Sequence, residues 1–177
     1  MPCSFTGHQA RTNTEILFYI SYSSMSFSLG AAISAGIISG IIGTIMQVAL
    51  WWLFQEPLPE TLYRDARLAA AILMGAEVLP PPASLNWKVM VVATFIHFLI
   101  SIGYSIILAR LISRLDMPFS LFIGAIFGAF VYVVNMYGFT LIFPWFSMIR
   151  DWITFFTHIA FGISLACTYH PLARHGL

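Results

Sequence analysis

The chain has 177 residues, of which 59% are hydrophobic and 8% charged, with a formal net charge of +1 and a mean hydropathy of +0.87. Soluble domains carry about 25% charged residues, so this composition describes an integral membrane protein and excludes the basic field that nucleic-acid binding needs. Two cysteines near opposite ends, Cys3 and Cys167, form neither a disulfide framework nor a zinc motif.

Residues 1–14 are polar and expected to be poorly ordered. They lack the charged, apolar and small-residue succession of a removable signal peptide. Residues 1–27 as a whole are expected to be a partly interfacial lead-in, with a serine-rich patch beginning at Ser21. The first transmembrane helix is predicted over 28–54, with Trp51 and Trp52 at its far end, where aromatic rings favour the headgroup region. Along it Gly36, Gly40, Gly43 and Gln47 follow at spacings of four, three and four and so share one face. Small residues on such a face let a neighbouring backbone come close.

A charge-rich segment follows, bracketed by Pro57 and Pro59 and by the run Pro80, Pro81, Pro82. It predicts an amphipathic surface helix over 60–79, with Leu62, Ala66, Ala69 and Leu73 on one side and Arg64 and Arg67 elsewhere. Glu77, in its apolar second half, is expected to dip toward the bundle.

The second crossing, 88–114, is membrane-length and apolar except for one imidazole, His97. Gly124 and Gly128, four apart, lie in a third crossing predicted over 118–143 and ended by Pro144. A short connection leads to a fourth crossing over 152–169, and residues 171–177 form the C-terminal tail, with Pro171, Arg174 and His175 marking the exit. The predicted fold is therefore all-α and membrane-integral. Its bundle of four antiparallel transmembrane helices occupies 28–170, with one surface helix between the first and second. Lysine and arginine tie at four per side: Arg11, Arg110, Arg114 and Arg174 against Arg64, Arg67, Lys88 and Arg150. Both termini are assigned to the cytoplasm.

An ionisable side chain inside a membrane needs a polar partner. Counting about 1.5 Å per helical residue, His97 lies about 14 Å past Lys88, and His158 about 12 Å past Arg150. Asn135 and Gln47 lie about 12 Å from Phe143 and Gln55 on the same side. Each crossing thus contributes one group to a polar layer of Gln47, His97, Asn135 and His158. The leading reading is interhelical hydrogen bonding that fixes register. Alternatives are axial ligation of a b-type haem by His97 and His158, a metal ion held by His97, His158 and Glu77, and a path for protons or small solutes. No nucleophile-base constellation or phosphate loop points to an enzyme.

The run HFLISIGYSIILA, the segment GAIFGAFVY, the segment RLAAAILMGAEVLPPPASL and the His-bearing last helix resemble the YagU-like group of small bacterial inner-membrane proteins. Related four-helix proteins carry the label sodium:proline symporter, but four crossings are too few for the inverted-repeat bundle of such a transporter. The resemblance implies a bacterial inner-membrane location and a four-helix fold, and it brings no catalytic residues. With its packing glycines and sixteen phenylalanines, the chain is expected to be a non-catalytic accessory or stabilising subunit. Its expected partners are the lipid bilayer and other membrane subunits. A small proton or solute channel is the alternative, and a haem or metal carrier the second alternative.

Overall fold

The computed structural model describes residues 27–176, so the predicted lead-in lies almost wholly outside the described residues. Among the described residues every regular element is helical, and there is no strand. The main helices are α1 (Leu29–Leu53), α2 (Glu60–Met74), α3 (Trp87–Ile112), α4 (Met117–Val133) and α5 (Trp152–Arg174). Four helical runs are long and apolar enough to cross a membrane: α1, α3, α5 and α4 continued to Leu141.

Each of these four runs begins on a side-chain cap. Ser28 Oγ accepts from the Ala31 amide, Asn86 Oδ1 from Lys88 and Val89, Asp116 Oδ1 from Phe119, and Asp151 Oδ1 from Thr154. Such caps fix where a helix starts by satisfying amides that have no intrahelical partner. They explain why the starts fall within a residue or so of the ends of the apolar runs.

Helix α5 packs along both α1 and α4, and α1 also packs along α3. Glycines make these approaches close. A Cβ on Gly36 would lie 2.8 Å from Ser105 Cβ on α3, and one on Gly40 would meet His97 and Ser101. Gly43 faces Phe161 on α5 at ordinary contact distance. Gly124 and Gly128 meet the backbone of α5 at Gly162 and at His158 and Ile159, with no room for a side chain. This is backbone-on-backbone packing of the kind small residues permit in membranes. Around it lies an apolar core in which Ala31, Ala35, Leu108, Val131, Leu165 and Tyr169 are all buried. Leu29, Ile45, Phe95, Leu99, Phe122 and Phe130 point outward instead, as lipid contact requires.

Three features differ from the sequence expectation. Helix α2 stops at Met74, because Gly75 takes φ of 88° and a single 3-10 turn, Ala76–Val78, follows. Only glycine enters that backbone region without strain. Its buried side is Arg67, Leu68, Ala70 and Ala71, whereas Leu73 is 64% exposed. The helix is held there by Ala70 against Val89 and Ala93 of α3 and by the Trp145 indole, which donates to the Leu68 carbonyl at 3.0 Å. Arg67 is buried because its guanidinium ties down the proline-rich loop, donating to the carbonyls of Val78 and Ser84 at 3.1 and 3.2 Å.

At the other end of the chain, α5 runs on through Pro171 to Arg174 rather than stopping at Tyr169. Proline removes one amide donor, and two side-chain ties hold the surrounding turn. The Tyr169 hydroxyl accepts from the Ser28 amide at 3.3 Å, and His170 Nε2 lies 2.8 Å from Ser120 Oγ. The third difference is in α4, where the helix widens into a π-turn over Val134–Gly138 before a 3-10 turn, Phe139–Leu141. A wide turn releases carbonyls from the regular ladder. The Met136 carbonyl is taken up by Arg150, which donates from Nε at 3.0 Å and from Nη2 at 2.7 Å, and by the Thr140 hydroxyl at 3.2 Å. Arg150 also stands 4.0 Å over the Tyr137 ring, an attractive placement for a cation.

Candidate functional site

The π-turn matters because Asn135 sits in it. Its Oδ1 accepts from the Tyr104 hydroxyl of α3 at 2.6 Å, and its Nδ2 lies 3.2 Å from His158 Nε2 on α5. His158 Nδ1 lies 2.7 Å from the Thr154 carbonyl. A carbonyl can only accept, so Nδ1 carries the proton and Nε2 is the acceptor for the Asn135 amide. One polar chain, Tyr104 to Asn135 to His158 to Thr154, therefore ties three helical runs together.

His97 makes a separate set of contacts. Its Nε2 is 3.2 Å from the Gly40 carbonyl and 3.4 Å from Thr44 Oγ1, both on α1, while the Thr44 hydroxyl itself donates to the Gly40 carbonyl at 3.0 Å. Nε2 is thus the protonated nitrogen of this ring, and Nδ1 remains an acceptor. Gln47 turns the other way, with Nε2 3.5 Å from Asp65 Oδ2 on α2. Asp65 is paired with Arg64 at 2.8 Å. Burial nonetheless raises its carboxyl to about 6, with the Arg64 charge pulling the other way and Asp151 adding a smaller upward push.

Gln47, His97, Asn135 and His158 all line one cavity of about 200 Å³. Ala69 and Ile72 of α2 form part of its wall, as do Phe139, Phe146 and Phe161. Asn135 and His158 bond directly to each other, whereas His97 and Gln47 take partners on α1 and α2. The lining contains no Asp, Glu, Lys or Arg.

The alternative metal site of His97, His158 and Glu77 is not assembled. Glu77 lies exposed in the 3-10 turn after α2, outside the cavity lining, because Gly75 ends the helix before Glu77 can reach inward. Among the described residues no group of three or more His, Cys, Asp and Glu side chains could hold a metal ion. Axial haem ligation fits poorly as well. The Nε2 atoms of both rings are engaged, one by Asn135 and the other by Gly40 and Thr44, and ligation through either would break those bonds.

Sequence reasoning overlooked several contributors. Thr44 follows Gly40 by one helical turn and was detectable as a polar residue on the His97-facing stripe. Asp65 was hidden among other charges of the α2 segment. Arg150 carried no signal, since nothing in the apolar run 118–143 marks a π-turn. The buried pair of His170 and Ser120 lies beyond the expected end of the last crossing.

The fold and site together define a multi-pass helical membrane protein with a neutral, partly polar cavity inside the bundle. The chain matches no protein-family model, no curated protein and no solved structure.

Proposed function

We propose that this is a small-solute module of a bacterial inner membrane, four antiparallel crossings around the cavity at His97 and His158. The observation that carries the reading is the pocket itself. Hydrogen bonds that merely fix helix register need no pocket, yet here they border a half-open pocket of about 200 Å³. A concave, mostly apolar pocket with a few convergent polar groups is the usual form of a small-molecule site.

Antiparallel crossing is supported by the order of the contacts. Along α1, Ala32 and then Gly40 meet Ser105 and then His97 of α3, while Ser120 and then Gly128 of α4 meet His170 and then His158 of α5. Helix α2 is read as lying at the membrane surface over the cavity, supported by Glu60, Arg64 and Asp65 in its first turns. Both termini are assigned to the cytoplasm. Among the described residues one end carries Arg110, Arg114 and Arg174 with the carboxylate Asp116, and the other mixes its cations with Glu56, Glu60, Asp65, Glu77 and Asp151. Kinship with the YagU-like proteins is part of the proposal, resting on the HFLISIGYSIILA run and His158.

The test is flux through proteoliposomes of the purified protein, with glycerol followed by light scattering and protons by an internal pH dye. The expected result is flux above empty liposomes, lost in His97→Ala and in His158→Ala. Flux equal to that of empty liposomes for both probes would count against a transport role.

A second reading is an accessory subunit of a larger membrane assembly, for which the exposed ridge of Phe119, Phe122, Ile126 and Phe130 along α4 would be a contact face. Gentle extraction from native membrane would then recover a stable partner, and a lone monodisperse monomer would argue against it.

A further inference from the structure

Resting on the solute reading, we propose that the cavity takes an uncharged molecule the size of one six-membered ring that carries a hydroxyl or amide. Size comes first. An apolar protein cavity of about 150 Å³ holds a benzene, so about 200 Å³ leaves room for a ring and one small substituent. The walls offered by Ile96, Ile100, Val131, Phe139 and Phe161 suit a flat apolar body.

Charge decides the class. An ion taken from water into this wall would meet no opposite charge, and an unpaired buried ion is strongly disfavoured. Asp65, bonded to the lining residue Gln47, is itself outside the lining and is paired with Arg64. A cation is therefore disfavoured, and an anion would have to draw a proton onto His97 or His158, whose Nε2 atoms are already engaged.

Unused hydrogen-bonding capacity decides the substituent. Tyr104, Asn135 and His158 are tied to one another, which leaves Asn135 one spare N–H for a ligand. The Ser101 hydroxyl on α3 lines the cavity and makes no hydrogen bond among the described residues. The His97 ring, in the same lining and also on α3, keeps Nδ1 as an acceptor. A ligand that both donates and accepts would use the spare donor and the spare acceptors together. A hydroxyl or a primary amide does both; a hydrocarbon does neither.

The probes are 4-fluorophenol, neutral at pH 7, its charged counterparts 4-fluorobenzoate and 4-fluorobenzylammonium, and fluorobenzene. Binding to the full chain in nanodiscs of phosphatidylethanolamine and phosphatidylglycerol would be read by fluorine NMR against empty nanodiscs. The expected result is saturable binding of 4-fluorophenol alone, weakened about tenfold or more by either of two cavity-filling variants, Thr157→Leu on α5 and Ala69→Phe on α2. Two fillers on different helices keep the test open if one of them fails to fold. Equal binding of a charged probe or of fluorobenzene overturns the ligand class, as does 4-fluorophenol binding that both fillers leave intact. Absence of saturable binding to the folded protein overturns it too. Flux of glycerol or protons in the same preparation would show that the solute role survives that failure.

Discussion

Asn135 and His158, on neighbouring helical runs, bond side chain to side chain at 3.2 Å, with Asn135 carried in a π-turn. Both ends of the pair are anchored, at Tyr104 and at the Thr154 carbonyl. Asn135→Leu strands the His158 acceptor and the Tyr104 hydroxyl, and is expected to lower stability by roughly 1–3 kcal/mol. Combined with His158→Leu, the loss should fall short of additivity by about 0.6–1.7 kcal/mol, as for other intramembrane hydrogen bonds. A double-mutant cycle by reversible unfolding in mixed micelles measures it, and strict additivity would mean the pair is not coupled.

Gly128 and Gly103 predict opposite outcomes for one substitution. Any Cβ at Gly128 would run into the His158 and Ile159 backbone, whereas one at Gly103 meets nothing within 4 Å. Gly128→Ala should therefore separate α4 from α5 and sharply reduce folded yield. Gly103→Ala should be neutral or stabilise by up to about 1 kcal/mol, the usual gain of alanine over glycine within a helix. Size-exclusion profiles and melting curves of the two variants decide it.

Arg150 is expected to matter through the Met136 carbonyl rather than through an ion pair. Arg150→Met would leave that carbonyl with the Thr140 hydroxyl alone and remove the contact over Tyr137. A loss of roughly 1–3 kcal/mol follows from the missing charge-assisted bonds. Arg150→Lys, which lacks the fork that donates from two nitrogens, should recover only part of it.

Asp65 predicts a pH dependence. In the folded chain its carboxyl is raised from 3.8 to about 6 by burial, so the folded state holds that proton more tightly than the unfolded state. Stability contributed by this group is therefore greatest at low pH and is lost as pH rises from about 4 to about 6. Asp65→Asn should flatten that part of the stability profile without abolishing the fold, since an amide still reaches Gln47. A slope unchanged in the variant would assign it to another group.

What the sequence made legible was set by hydrophobic length and by polar exceptions. Four apolar runs long enough for a bilayer leave little choice of element, and His97, Asn135, His158 and Gln47 stand out because polar groups inside such runs are rare. Depth could be counted because a helix rises evenly. Side-chain direction could not be counted where the helix is uneven. Asn135 reaches His158 from a π-turn that no periodicity reveals, and Gln47 goes to Asp65, whose position depends on how α2 docks. Glu77 was misplaced because a single φ at Gly75 ends the helix, and Arg67 because its buried environment is built by a loop eleven or more residues away in sequence. The end of α5 was missed because Pro171 usually signals a stop, whereas here contacts to Ser28 and Ser120 hold the turn.

The most direct measurement is nitrogen-15 NMR of histidine-labelled protein in bilayers, with His158 assigned by substitution among the five histidines. The structure predicts that His158 carries its proton on Nδ1, that Nε2 shows the signature of an unprotonated acceptor, and that this resonance moves in Asn135→Leu. A proton on Nε2, or a spectrum indifferent to Asn135→Leu, would contradict the polar chain that joins the helices beside the cavity.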